Sequence, residues 1–203
     1  MGVFQGTLRL EVIADVKTVQ STARRVSGAV RDQLKEELAR LEQLGVIIRQ
    51  DEPTDWVSPI VVARKKNGQL RICIDRQDLN RYLRRQPHPV PTVEELLPEV
   101  RNARVFSKCD VRNGFWHIRL DESSSRLLTF ATPFGRYRWT RMPFGISPVP
   151  EIFQRWLEQQ LIGLDGVSNI HDDILVIGEG NDLEEAVRNH DQRMDKLLQR
   201  CAE

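Results

Sequence analysis

Three aspartates stand out for the apolar company they keep. Asp110 closes the run VFSKCD, and Asp172-Asp173 interrupts VSNI–ILVIG, a stretch that otherwise reads as two strands and a tight turn. A carboxylate beside buried strands is costly unless a cation neutralises it. Side chains alternate faces along a regular strand, yet at a tight turn two neighbours can reach one site. Three carboxylates at one place suit two hard divalent cations, because Mg²⁺ takes few carboxylates plus the oxygens of a substrate phosphate. Two such ions about 4 Å apart stabilise the attacking and leaving oxygens of an in-line phosphoryl displacement. An Asp-Asp pair at a turn is also what a solvated bend contains, and spacing alone leaves both readings open. Strand alternation turns His171 away from the carboxylates. A metal-phosphohydrolase reading of His171-Asp172 fails on the flanks, which are strands here and helices in those enzymes.

The second chemical feature is charge placement. The chain carries a net charge of only +1, but residues 60–90 hold eight Lys/Arg against two Asp, a net of +6. Residues 145–203 hold five basic against twelve acidic residues, a net of −7. Such asymmetry suits a surface that meets phosphate beside one that meets metal, and equally two solvated faces that differ.

The elements that must position these groups follow from periodicity. Val30, Leu34, Leu38, Leu41 and Leu44 recur at helical spacing up to Gly45, and a short apolar run follows at Val46–Ile48. PIVVARKKNGQLRICID reads as two strands joined at Asn67-Gly68, with the basic residues at the tip. LRLEVI reads as a strand near the start. HPVPT breaks the chain, and Thr92 with Glu95 predicts a capping box for a helix to about Val100. TFATP and RYRWTRM flank Phe134-Gly135-Arg136 as a second hairpin. A helix from about Pro150 carries Ile152, Phe153, Trp156, Leu157 and Leu161 on one face. A last helix from about Leu183 carries Val187, Met194, Leu197 and Cys201. Strands and helices mix without βαβ regularity, so the class is α+β with mainly antiparallel pairing.

Composition excludes several alternatives. With 203 residues, 40% hydrophobic and 29% charged, the chain has the make-up of a globular domain. No run approaches the roughly 18 apolar residues of a membrane span. The start lacks a basic-then-apolar export signal, and Gly6 stands where myristoylation after Gly2 would want Ser or Thr. Cys73, Cys109 and Cys201 are odd in number and without a C-x-x-C pair, which suits reduced thiols.

The motifs WVSPIVVARKKNGQLRICID-x-x-DLN, FSKCDVRNGFWHIRLDE, TFATPFGRYRW, RMPFGIS, PEIFQ and DDILVIG occur in this order. Together they resemble the reverse transcriptases of gypsy-type LTR retrotransposons, from about residue 22 to the end. The resemblance implies that Asp110, Asp172 and Asp173 are the catalytic, metal-holding aspartates, with two Mg²⁺ ions, replaceable by Mn²⁺, as cofactors. It implies a dNTP site formed by Lys65 and Arg71 of the fingers hairpin, the backbone at Asn113 and Gly114, the sugar-gating ring of Phe115, and Phe144 in the Met142–Gly145 turn. The physics agrees: long cations on a hairpin neutralise phosphates, and glycine permits close backbone approach. From sequence alone, Phe115 reads equally as a core residue and the hairpin as a solvated basic tip.

Four positions depart from the family pattern. Ile170-His171 stands where Tyr-x commonly precedes the aspartate pair, Gln77 replaces an Arg, and Pro148 and Val149 replace small residues.

The expected fold is α+β, a right-hand polymerase fingers and palm with a mainly antiparallel sheet and the thumb absent. Residues 1–27 are expected as a lead-in, 28–90 and 121–149 as fingers, 91–120 and 150–203 as palm. The implied reaction is RNA-directed DNA polymerisation on a primed RNA or DNA template with dNTPs. The implied partners are the thumb, ribonuclease H and integrase domains of a polyprotein, with no membrane. The implied location is cytoplasmic, in the element's virus-like particle, or nuclear. The rival is a non-catalytic remnant that binds nucleic acid weakly.

Overall fold

The computed structural model describes all residues except 1, 14–16, 65–69, 76, 86, 90–91, 171 and 203. In chain order the elements are α1 (Gly28–Gln43), β1 (Ile47–Arg49), β2 (Ser58–Arg64), β3 (Leu70–Ile74), α2 (Gln77–Asn80), α3 (Val93–Val100) and β4 (Ala103–Asp110). A 3₁₀ turn at Gly114–His117 leads to α4 (Glu122–Leu127), β5 (Thr129–Thr132) and β6 (Gly135–Trp139). Then come α5 (Val149–Leu161), β7 (Val167–Ile170), β8 (Asp173–Glu179) and α6 (Leu183–Ala202). They divide into two compact units, residues 1–2, 86–114 and 150–203 in one, and 3–85 and 115–149 in the other.

The first unit is built on a three-stranded antiparallel sheet in the order β4-β8-β7. Along β4 exposure alternates strictly: Ala103, Val105, Ser107 and Cys109 are half-buried, whereas Arg104, Phe106, Lys108 and Asp110 are exposed. The half-buried face receives α6. There the Nε2 of His190 meets Ser107 Oγ at 2.9 Å. A Cβ on Gly178 would lie 2.3 Å from the Ala186 carbonyl oxygen, so glycine is what lets the helix approach this strand. This close approach shifts the buried stripe of α6 from the expected one. Ala186, His190 and Leu197 face inward, whereas Val187 is 40% exposed and Cys201 is exposed. The helix α3 starts with the expected capping box: Thr92 N donates to Glu95 Oε2 at 2.8 Å and Glu95 N to Thr92 Oγ1 at 3.4 Å.

The second unit holds a five-stranded sheet ordered β1-β6-β5-β2-β3, antiparallel except for the β2–β5 pair. Alternation buries Leu70, Ile72 and Ile74 of β3, and α1 contributes Leu34, Leu38 and Leu41 to the core. Phe130 lies 5.6 Å from Trp139, ring centre to ring centre. The helix stops at Gln43 because Gly45, at φ 64°, reverses the chain. Leu44, expected on its apolar face, therefore lies beyond the last turn and is 45% exposed.

From residue 3 onward, the stretch expected as a lead-in falls in this unit. LRLEVI forms no strand but makes single bridges, Leu8 to Leu120 and Val12 to Leu83, which bury Leu8 and Leu10. Residues 115–120 also belong here, since Ile118 and Leu120 are buried in its core. The hairpin turn Asn67-Gly68 lies outside the described residues.

Candidate active site

In the first unit, pairing brings the aspartates to one end of the sheet. Asp110, the last residue of β4, is the cross-strand partner of Asp173, the first of β8. Asp172 precedes it in the turn, and its carbonyl accepts the N–H of Val111 at 2.9 Å. The chain leaving β4 is thus tied to the β7–β8 turn on the residue after Asp110. Asp110 and Asp172 are exposed and Asp173 is half-buried.

Like charges directly opposite on neighbouring strands destabilise a sheet unless something neutralises them. Here Lys108, two residues before Asp110 and on the same face, places its Nζ 2.6 Å from Asp173 Oδ2. The hydrogen bond to Asp173, then the charge of Asp173, and less strongly those of Asp110 and Asp172, hold this ammonium above the usual lysine range. The three carboxylates therefore act on one cation at one place. Their side chains are not gathered into a chelating group: no cluster of three or more His, Cys, Asp or Glu stands ready for a metal among the described residues. The donor set nonetheless fits a hard divalent cation, being all carboxylate oxygen and already holding a cation.

The loop after β4 carries Asn113 and Gly114. Asn113 adopts φ 55°, a left-handed conformation that asparagine tolerates better than most residues. Gly114 is buried, its N–H donates to Val111 O at 3.0 Å, and a Cβ there would lie 2.6 Å from Cζ of Phe153 on α5. Its lack of a side chain serves packing, a reason the sequence did not disclose.

In the second unit, Phe115, Phe144 and Arg71 form a row. The rings of Phe115 and Phe144 stand 5.0 Å apart at 46°, and the Arg71 guanidinium carbon lies 4.7 Å from the centre of the Phe144 ring. Phe115 is half-buried. Asn80, which sequence reasoning passed over within the DLN motif, fixes the Phe144 turn from both sides. Its Nδ2 donates to Gly145 O at 3.1 Å, and its Oδ1 accepts from Ser147 N at 2.9 Å. The signal was an asparagine ending a four-residue helix, where a side-chain amide can replace backbone partners. Lys65 and His171 lie outside the described residues.

Three of the departures have a structural setting. Pro148 and Val149 are buried at the start of α5, filling core space. Gln77 begins α2 and is exposed, while nearby Asp75 pairs with Arg24. At the opposite end of the aspartate-bearing sheet, Arg101, Asn102, Arg104, Glu179 and Asn181 line an open hollow of about 600 Å³. That hollow lacks paired carboxylates, and the chemistry follows the aspartates instead.

Residues 63–203 match the family described as reverse transcriptase (RNA-dependent DNA polymerase). The uncharacterized protein K02A2.6 of Caenorhabditis elegans is 32% identical over 184 residues, 89% of this chain and 14% of that protein. The enzymatic polyprotein of figwort mosaic virus (strain DxS) is 27% identical over 195 residues, 94% of this chain and 29% of that polyprotein. Among solved structures, the protease-reverse transcriptase of prototype foamy virus superposes with a TM-score of 0.79 at 21% identity. The match covers 98% of this chain and 26% of the foamy virus chain, so the fold is the fingers-and-palm region expected from the sequence. The chain spans less than a third of the length of each of these relatives.

Proposed function

The chain belongs to the reverse transcriptase (RNA-dependent DNA polymerase) family, and from that premise we propose that it carries the nucleotidyl-transfer site of an RNA-directed DNA polymerase. The reaction is attack of a primer 3′-OH on the α-phosphate of a dNTP, with pyrophosphate leaving and an RNA or DNA template choosing the base. The observation that carries this reading is the pairing of Asp110 with Asp173 at one strand end, beside Asp172.

Asp110, Asp172 and Asp173 are the residues that would hold two Mg²⁺ ions, with Mn²⁺ as a substitute. When bound, such ions supply charge stabilisation to the attacking and leaving oxygens. Arg71, and with it Lys65, neutralises the triphosphate. The backbone at Asn113 meets its phosphates, the N–H of Gly114 being already donated to Val111 O. Phe115 bars a ribose 2′-OH by bulk, and Phe144, held by Asn80, supports the nucleotide. Kinship to a gypsy-type retrotransposon, a polyprotein setting with thumb, ribonuclease H and integrase, and residence in a virus-like particle belong to the same proposal. The polyprotein nature of the figwort mosaic virus relative supports that setting.

The test is template dictation. On four primed RNA templates differing in one base, each should direct addition of its complementary dNTP, and chelation of divalent ions should stop it. Addition that ignores the template base would remove the polymerase reading and leave that of a weakly binding remnant.

A further inference from the structure

The cation nearest the aspartates is part of the chain. Lys108 shares the exposed face of β4 with Asp110, and Asp173 stands opposite Asp110, so Lys108 lies diagonally across from Asp173. The 2.6 Å ion pair joins side chains that are 68% and 40% exposed. Exposed pairs of this sort hold weakly, because two solvated side chains must be fixed in one geometry. This one forms on a carboxylate whose cross-strand partner is another carboxylate, a like-charge opposition that a neighbouring cation relieves. A lysine ammonium is a compact point charge on a long flexible stem, able to leave without disturbing the strand that carries it.

We propose that Lys108 is a tethered counter-cation that occupies Asp173 in the metal-free protein and competes with divalent ions for that carboxylate. Resting on the metal reading of the three aspartates, this sets Lys108 a role outside the reaction: it moderates repulsion in the unloaded sheet and raises the ion concentration needed for loading. An ion arriving with a dNTP brings phosphate ligands of its own, so the competition favours loading together with nucleotide over loading by the free ion.

The test is direct Mn²⁺ binding to the full chain at about 0.15 M salt, read from the electron paramagnetic resonance signal of the free ion. Arg104→Met is the control. It removes the same charge from the same strand face about 13 Å away, beyond the Debye length of about 8 Å. Lys108→Met should bind Mn²⁺ about two- to fivefold more tightly, the range in which a weak exposed pair competes. Arg104→Met and Lys108→Arg should bind as the wild type does. No tightening in Lys108→Met, or equal tightening in Arg104→Met, overturns the proposal while leaving the aspartate site intact. Absence of any Mn²⁺ binding that Asp110→Asn removes takes down the metal reading itself, and the competition with it.

Discussion

The ring of Phe153 lies over the α-carbon of Gly114, so close that a methyl group at Gly114 would come within 2.6 Å of its Cζ. Phe153 is buried on the first turns of α5. Gly114→Ala should therefore destabilise the protein by about 1–3 kcal/mol through overpacking, measured by denaturant unfolding. A truncating partner change separates packing from chemistry. In the double variant with Phe153→Leu, part of the Gly114→Ala penalty should return, whereas purely additive losses would mean the two residues are not coupled.

Asn80 gives a second handle. Its amide bonds Gly145 O and Ser147 N, and a net hydrogen bond contributes about 1 kcal/mol. Asn80→Ala should cost about 1–3 kcal/mol of stability and raise the KM for dNTP more than it lowers kcat, because it loosens the Phe144 turn without removing the ring. An unchanged KM would detach that turn from nucleotide binding.

Sugar selection rests on Phe115. Its ring is half-buried and braced by Phe144 at 5.0 Å. Replacing it with Val keeps an apolar residue but clears space, so ribonucleotides should be incorporated more readily relative to deoxyribonucleotides, since exclusion by bulk acts on the wrong substrate. The ratio of rNTP to dNTP addition measures this, and an unaltered ratio would return Phe115 to a packing role.

The cap of α4 predicts acid sensitivity. Partial burial pushes the Asp121 carboxyl up, but hydrogen bonds from Ser124 and Ser123 and the charge of Arg9 hold it below its ordinary 3.8. Because the folded value is the lower one, the stabilisation is fully present above about pH 4 and is lost as pH falls through the folded value. Asp121→Ala should cost about 1 kcal/mol at neutral pH, and the difference from the wild type should shrink as the carboxyl becomes protonated. A constant difference down to acid pH would show that the carboxylate is not the capping group.

Much of this was legible in the sequence for identifiable reasons. The capping box at Thr92 and the β5–β6 hairpin depend on local pattern, which one chain displays, whereas the meeting of Asp110 with the aspartate turn was suggested only by the family resemblance. What stayed hidden depends on who packs against whom. Nothing local says that Gly114 answers to Phe153, or that Gly178 admits Ala186 and so rotates the buried stripe of α6. The segment around Leu8 has strand-like composition but finds only single-residue bridges. Nothing local singles out Lys108, whose place beside the aspartates follows from β8 setting Asp173 diagonally opposite.

The central claim is that the aspartates perform nucleotidyl transfer. The measurement that tests it most directly is single-nucleotide addition to a primed RNA template, wild type against Asp110→Asn, with folding of both verified by circular dichroism. Asp110→Asn keeps the shape of the β4 terminus but removes one metal-holding charge, so the rate of addition should fall on the order of a thousandfold, several kcal/mol of transition-state stabilisation. A folded Asp110→Asn protein that adds the templated nucleotide at the wild-type rate would contradict the account.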